Sequence, residues 1–95
     1  MKVEIKKSNR SGKKMMAIFY DNNKRVKTIH FGQEGASDYT IHHDEARRQR
    51  YIDRHKKSED WNNPMTAGTL SLFILWTEKT LGSAIAKYKK KFNLL

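Results

Sequence analysis

The sequence predicts a single α+β domain spanning 1–95, in which a three-stranded antiparallel meander is followed by three helices packed on one face of the sheet. Two observations support this fold class. Strand-forming stretches separated by turn clusters occupy 2–31, and helical patterns with capping residues occupy the region after 44. Strands followed by helices are typical of α+β domains, and 95 residues suffice for one domain.

The N-terminal third predicts the meander. Val3 and Ile5 alternate with charged residues, as in a strand with one buried face. The two turn clusters are rich in Ser, Asn, Asp and Gly, residues that adopt turn conformations readily. In chain order, the prediction is a strand around Val3 and Ile5, a turn at 8–12, a strand at 15–20, a turn at 21–23 and a strand at 25–31. A loop is predicted at 32–40 because of its two glycines and polar residues.

Capping residues delimit the predicted helices. Asp44 is a suitable N-cap for a helix over 44–57, whose last turn is basic, as helix C-termini favour. The second helix begins at Pro64 after an Asn63 cap, or after a Thr66 cap, and includes the apolar stretch 70–76. That stretch is apolar on all sides, which indicates burial. Thr80 is the expected cap of the third helix.

The charge balance favours a polyanionic partner. Twenty Lys and Arg against ten Asp and Glu give a formal charge of +10. Phosphate backbones are the natural partner for such an excess of positive charge, although an acidic protein or an anionic lipid would be attracted by the same field. Basic residues cluster around the first turn, on the first helix and at 87–91.

We therefore expect a non-enzymatic protein that binds DNA or RNA through the phosphate backbone. The predicted nucleic-acid-binding residues are Lys13, Lys14, Arg47, Arg48, Arg50, Arg54, Lys56 and Lys57. The alternative to nucleic-acid binding, for each cluster, is a solvated surface that contributes only to solubility. A second function class is a structural protein that docks on an acidic protein partner, for which an exposed aromatic patch around Trp61 would be the signature.

Catalytic and metal-binding motifs are not evident. The chain has no Cys, and its four His residues do not follow a metal-ligand spacing. His42 and His43 are adjacent and would point apart on a strand. A third function class is a small nuclease that uses His30, Asp38 and His42. We predict no catalytic residue, metal or cofactor, and no membrane partner, since the longest apolar run is too short to span a bilayer.

Several short motifs together resemble a known family. The motifs are His30–Gly32, Gly35–Thr40, Tyr51–Ile52, Arg54–His55, Glu59–Gly68 and Ile74–Trp76. They resemble small basic proteins of unknown function encoded by nucleocytoplasmic large DNA viruses and found in some algal genomes. The resemblance implies a viral or algal origin and assigns no catalytic residue, ligand or partner. It favours genome binding, keeps a minor virion component open, and places the protein in the host cytoplasm or nucleus, or in the virion.

Overall fold

A computed structural model describes all 95 residues and confirms the α+β fold with its antiparallel meander. The strands are β1 (Lys2–Lys7), β2 (Lys13–Asp21) and β3 (Lys24–Gln33), and β2 lies in the centre. A bulge at Phe19 and Tyr20 shifts the β2–β3 register. Both turns fall where the sequence predicts them. They lie at opposite ends of β2, so the basic first turn and the second turn are at opposite ends of the sheet.

Four helices follow the sheet. They are α1 (Tyr39–His42), α2 (Glu45–His55), α3 (Ala67–Leu70) and α4 (Leu81–Lys91), and α3 continues directly into a π-helical segment (Ser71–Trp76). The first of these lies partly within the predicted loop and was not expected. The Asp38 carboxylate begins it by accepting a 2.9 Å hydrogen bond from the Thr40 amide.

His42 and His43 do not lie on a strand, so the argument that they would point apart on one does not apply. The first of them is the last residue of α1, and His43 is its left-handed C-cap with φ of 54°. The predicted caps of the later helices are largely confirmed. Asp44 caps α2 and Thr80 caps α4, while Thr66, and not Asn63, begins α3.

The core lies between one face of the sheet and the C-terminal helices. Phe19 and Phe31 from the sheet are almost completely buried, as are Ile74 from the π segment and Tyr88 from α4. The other members of this buried cluster are Val3, Ala17, Leu70 and Leu75. In contrast, α2 has no buried residue and packs on the π segment. Its exposed side is therefore available for contacts outside the domain.

None of the helices combines the length and the apolar character needed to span a membrane.

Candidate nucleic-acid interface

A cleft of about 480 Å³ lies between the sheet and the helices. It is lined by the start of β2, the end of β3, the loop before α1, the last turn of α2 and the start of α3. Lys13, at the start of β2, and Arg54, in the last turn of α2, are both exposed and both line it. The structure thus brings the basic first turn and the basic first helix to one site.

Three rings of a column of four form one wall of this cleft. Tyr51 stacks on Trp76 with centroids 4.3 Å apart, and on its other face stacks on His55 at 4.2 Å. His42 continues the column beyond Trp76 at 5.3 Å. The rings come from α1, α2 and the π segment, so the column joins three elements whose contact the sequence does not reveal. The spacing of Tyr51 and His55, four residues apart on one helix, is the only local signal.

His55, at one end of the column, has a defined tautomer. The Nδ1 atom of His55 lies 2.9 Å from the backbone oxygen of Tyr51. Because a carbonyl only accepts, Nδ1 donates this bond, and Nε2 has no partner. Burial raises the pKa of the Tyr51 hydroxyl to about 12, and the charge of Glu59 adds to that increase. The tyrosine is therefore a neutral wall of the cleft at physiological pH.

An ion pair holds the loop before α1 against the sheet. Lys14 Nζ lies 2.5 Å from Asp38 Oδ2 and 2.5 Å from the backbone oxygen of Ala36. The two side chains are only 19% and 3% exposed. Asp38 also accepts from the amide and hydroxyl of Thr40. Lys14 thus has a structural role that occupies its ammonium group, although it is one of the predicted nucleic-acid-binding residues.

Three arginines of α2 form an exposed stripe without partners. Arg47, Arg50 and Arg54 are exposed, and none of them makes an ion pair or a side-chain hydrogen bond. Their spacing of three and four residues places them on one side of the helix, about 10 Å from first to last along its axis. The stripe ends at the cleft, because Arg54 is one of the residues that line it.

The other predicted residues of α2 have different environments. Arg48 lies on the far side, where its guanidinium donates to Glu45 at 3.0 Å and lies over the Tyr39 ring. It lines a separate groove with Lys87, Lys90 and Lys91 of α4. Lys56 forms an exposed ion pair with Asp53 at 3.5 Å. Lys57 is exposed and has no such partner.

The basic surface extends from the cleft to the first turn. Lys7, Arg10 and Lys13 line an adjoining groove that contains no hydrophobic residue. Burial lowers the pKa of His30 beside this groove, and the positive charges of Arg10 and Lys13 lower it further. Two of the three basic clusters therefore share a continuous surface, and the third lies beside Arg48.

The residues of the nuclease hypothesis have separate partners. His30 Nδ1 lies 2.7 Å from the Ser8 hydroxyl, and His42 Nδ1 accepts from the Asp44 amide at 2.8 Å. Asp38 pairs with Lys14. Nowhere do three His, Asp or Glu side chains converge in a way that could hold a metal ion. Trp61 is only half-buried, but its indole Nε1 is inaccessible and has no hydrogen-bond partner.

Fold and site together define a small basic α+β domain with a cleft beside its sheet that Lys13, Lys14 and Arg54 line. The chain belongs to a family of unknown function (DUF5754), whose model matches residues 3–55, more than half of the chain. The match covers the sheet, α1 and α2, and so includes Lys13 and the arginine stripe. Neither the curated proteins nor the solved structures gave a match.

Proposed function

We propose that this protein is a non-enzymatic nucleic-acid-binding protein that contacts the phosphate backbone. The observation that supports the proposal best is the arginine stripe of α2, which has no acidic partner and meets Lys13 at the cleft. Cations already paired within a protein gain little from a phosphate, because binding must first break their existing contacts. The unpaired stripe has no such cost.

The geometry of the stripe suits a backbone. Arg47 and Arg54 are about 10 Å apart along the helix axis, a span over which a nucleic-acid strand presents more than one phosphate. Arginine can also hold a phosphate through two parallel hydrogen bonds. The contact set that we propose is Arg47, Arg50, Arg54, Lys57 and Lys13. Lys14, Arg48 and Lys56 have partners within the protein and contribute mainly to the field.

The test is a fluorescence-anisotropy titration of labelled duplex and single-stranded oligonucleotides over a salt series. We expect log Kd to depend linearly on log salt, with a slope of about 0.7 to 0.9 for each phosphate contact. Substituting Arg47, Arg50 and Arg54 together by Glu should weaken binding at least about tenfold and lower the slope by about two to three.

A matched control variant changes the net charge equally at the other end of the sheet. Lys24, Arg25 and Lys27 are exposed and unpaired, and they lie at or beside the second turn, away from the cleft. Their joint substitution by Glu should change affinity far less than substitution of the stripe. Equal losses from both variants would show that only net charge matters, and unchanged affinity of a folded stripe variant would refute the proposed interface.

The viral or algal origin and the location in host cytoplasm, nucleus or virion are part of the same proposal. The alternative function is a structural or minor virion protein that docks on an acidic protein partner. One observation favours it: Ile41 and Leu81 are 63% and 39% exposed, and they line a groove with Met15 and Lys7. Absence of nucleic-acid binding near physiological salt, with retention of a protein partner that Ile41→Ser and Leu81→Ser release, would favour this alternative.

A further inference from the structure

One carboxylate in the basic cleft has no partner. Glu59 is half-buried, and it makes neither an ion pair nor a side-chain hydrogen bond. Asp38, the other acid of the cleft, is paired with Lys14. The carboxylate of Glu59 also lies close enough to the Tyr51 hydroxyl to raise the pKa of that group. A free acceptor thus sits inside a surface that otherwise presents cations.

The fold holds this carboxylate in position through a glycine. Gly68, in the first turn of α3, lies directly against Glu59, and a Cβ atom at this position would overlap the carboxylate. Any other residue would displace the carboxylate from this position. A carboxylate only accepts hydrogen bonds, so a ligand that satisfies it must supply N–H or O–H donors. A phosphate supplies no such donor at neutral pH and is repelled by the charge.

We propose that the cleft holds one unpaired nucleobase bearing an exocyclic amino group, which donates to Glu59 while the flanking phosphates contact Lys13 and Arg54. The inference rests on the proposed function and names its substrate class. A cleft of about 480 Å³ is within the usual range for small-ligand sites. In a duplex the exocyclic amino group is reached only along the groove edge, whereas an unpaired base can enter a cleft between the sheet and the helices and present its whole amino group to the carboxylate. The substrate class is therefore single-stranded nucleic acid.

The experiment compares labelled ten-residue oligo-dC and oligo-dT at neutral pH and fixed salt. The two strands have the same backbone, so the phosphate term is the same in both. Cytosine presents a donor at its N4 atom where thymine presents an acceptor oxygen. We expect the wild-type protein to bind oligo-dC about tenfold more tightly. In Glu59→Ala the ratio should fall to about one, with oligo-dT affinity unchanged or increased because a negative charge is lost.

Glu34→Ala is the matched control, since Glu34 is an exposed acid on the basic surface outside the cleft. It should tighten both complexes equally and leave the ratio unchanged. Equal wild-type affinity for the two strands would overturn the base-binding proposal but leave backbone binding intact. A shift of both strands together in Glu59→Ala would overturn it as well. Absence of binding to either strand at low salt would refute the proposed function and this inference with it.

Discussion

Removal of the Asp38 carboxylate should destabilise the domain strongly, because it leaves the mostly buried ammonium group of Lys14 without its charged partner. Deleting one partner of a buried ion pair costs about 3–5 kcal/mol. Lys14 keeps 19% of its side-chain surface exposed, so water offsets part of this cost and the lower end applies. Loss of the N-cap of α1 adds about 1 kcal/mol. We expect Asp38→Ala to lower the free energy of unfolding by about 4 kcal/mol, the sum of these two costs.

Guanidinium unfolding followed by tryptophan fluorescence measures this change. Glu4→Ala is the control, because the Glu4–Lys6 pair is about half exposed and should contribute less than about 1 kcal/mol. The double variant Lys14→Met with Asp38→Ala should be more stable than Asp38→Ala alone, since it leaves no buried charge. A loss below about 1 kcal/mol in Asp38→Ala, or a double variant less stable than the single one, would refute the structural role of the pair.

Three further predictions concern the cleft and its surroundings. Gly68→Ala should stabilise a Glu59→Ala background by up to about 1 kcal/mol in chemical unfolding and the wild-type protein by less, because only in the wild type must the Glu59 carboxylate move to make room for the added Cβ. Gly32→Ala should cost more than Gly12→Ala in the same assay: both have positive φ, but only at 32 would the Cβ lie 2.9 Å from a core methyl group. Because the folded-state pKa of Tyr51 is raised from 10.0 to about 12, its contribution to stability is complete below pH 10 and is lost as pH rises towards 12. Tyr51→Phe should therefore flatten the alkaline decline of unfolding free energy, and an unchanged decline would contradict the burial of its hydroxyl.

The fold was largely predictable because its signals are local. Turn clusters and the alternation of apolar with charged residues delimit the meander. The Asp44 carboxylate and the Thr80 hydroxyl mark the starts of α2 and α4 within a few residues. The missed elements depend on distant contacts. Four residues of α1 are too few to produce a periodic pattern, and this helix begins at Asp38, which Lys14 of β2 holds in place.

The candidate site was predictable only in part, for the same reason. The clustered arginines predict that α2 is a basic helix. Periodicity alone does not predict that Arg48 lies towards α4 while Arg54 lines the cleft. The aromatic column and the position of Glu59 against Gly68 arise where three or more segments meet. No pairwise spacing in the sequence encodes such a meeting.

The distinction between paired and unpaired cations explains why net charge is a weak guide to the binding surface that we propose. The formal charge of +10 includes Lys14, which stabilises the loop, and Lys87, which pairs with Glu78. Neither can neutralise a phosphate without losing its own partner. What distinguishes the proposed α2 surface is that Arg47, Arg50 and Arg54 have no partner to lose, whereas Lys14 fixes the loop that lines the neighbouring cleft. In the proposed complex Lys14 would act indirectly: its loss should change the shape of the cleft more than it changes the charge that a nucleic acid contacts.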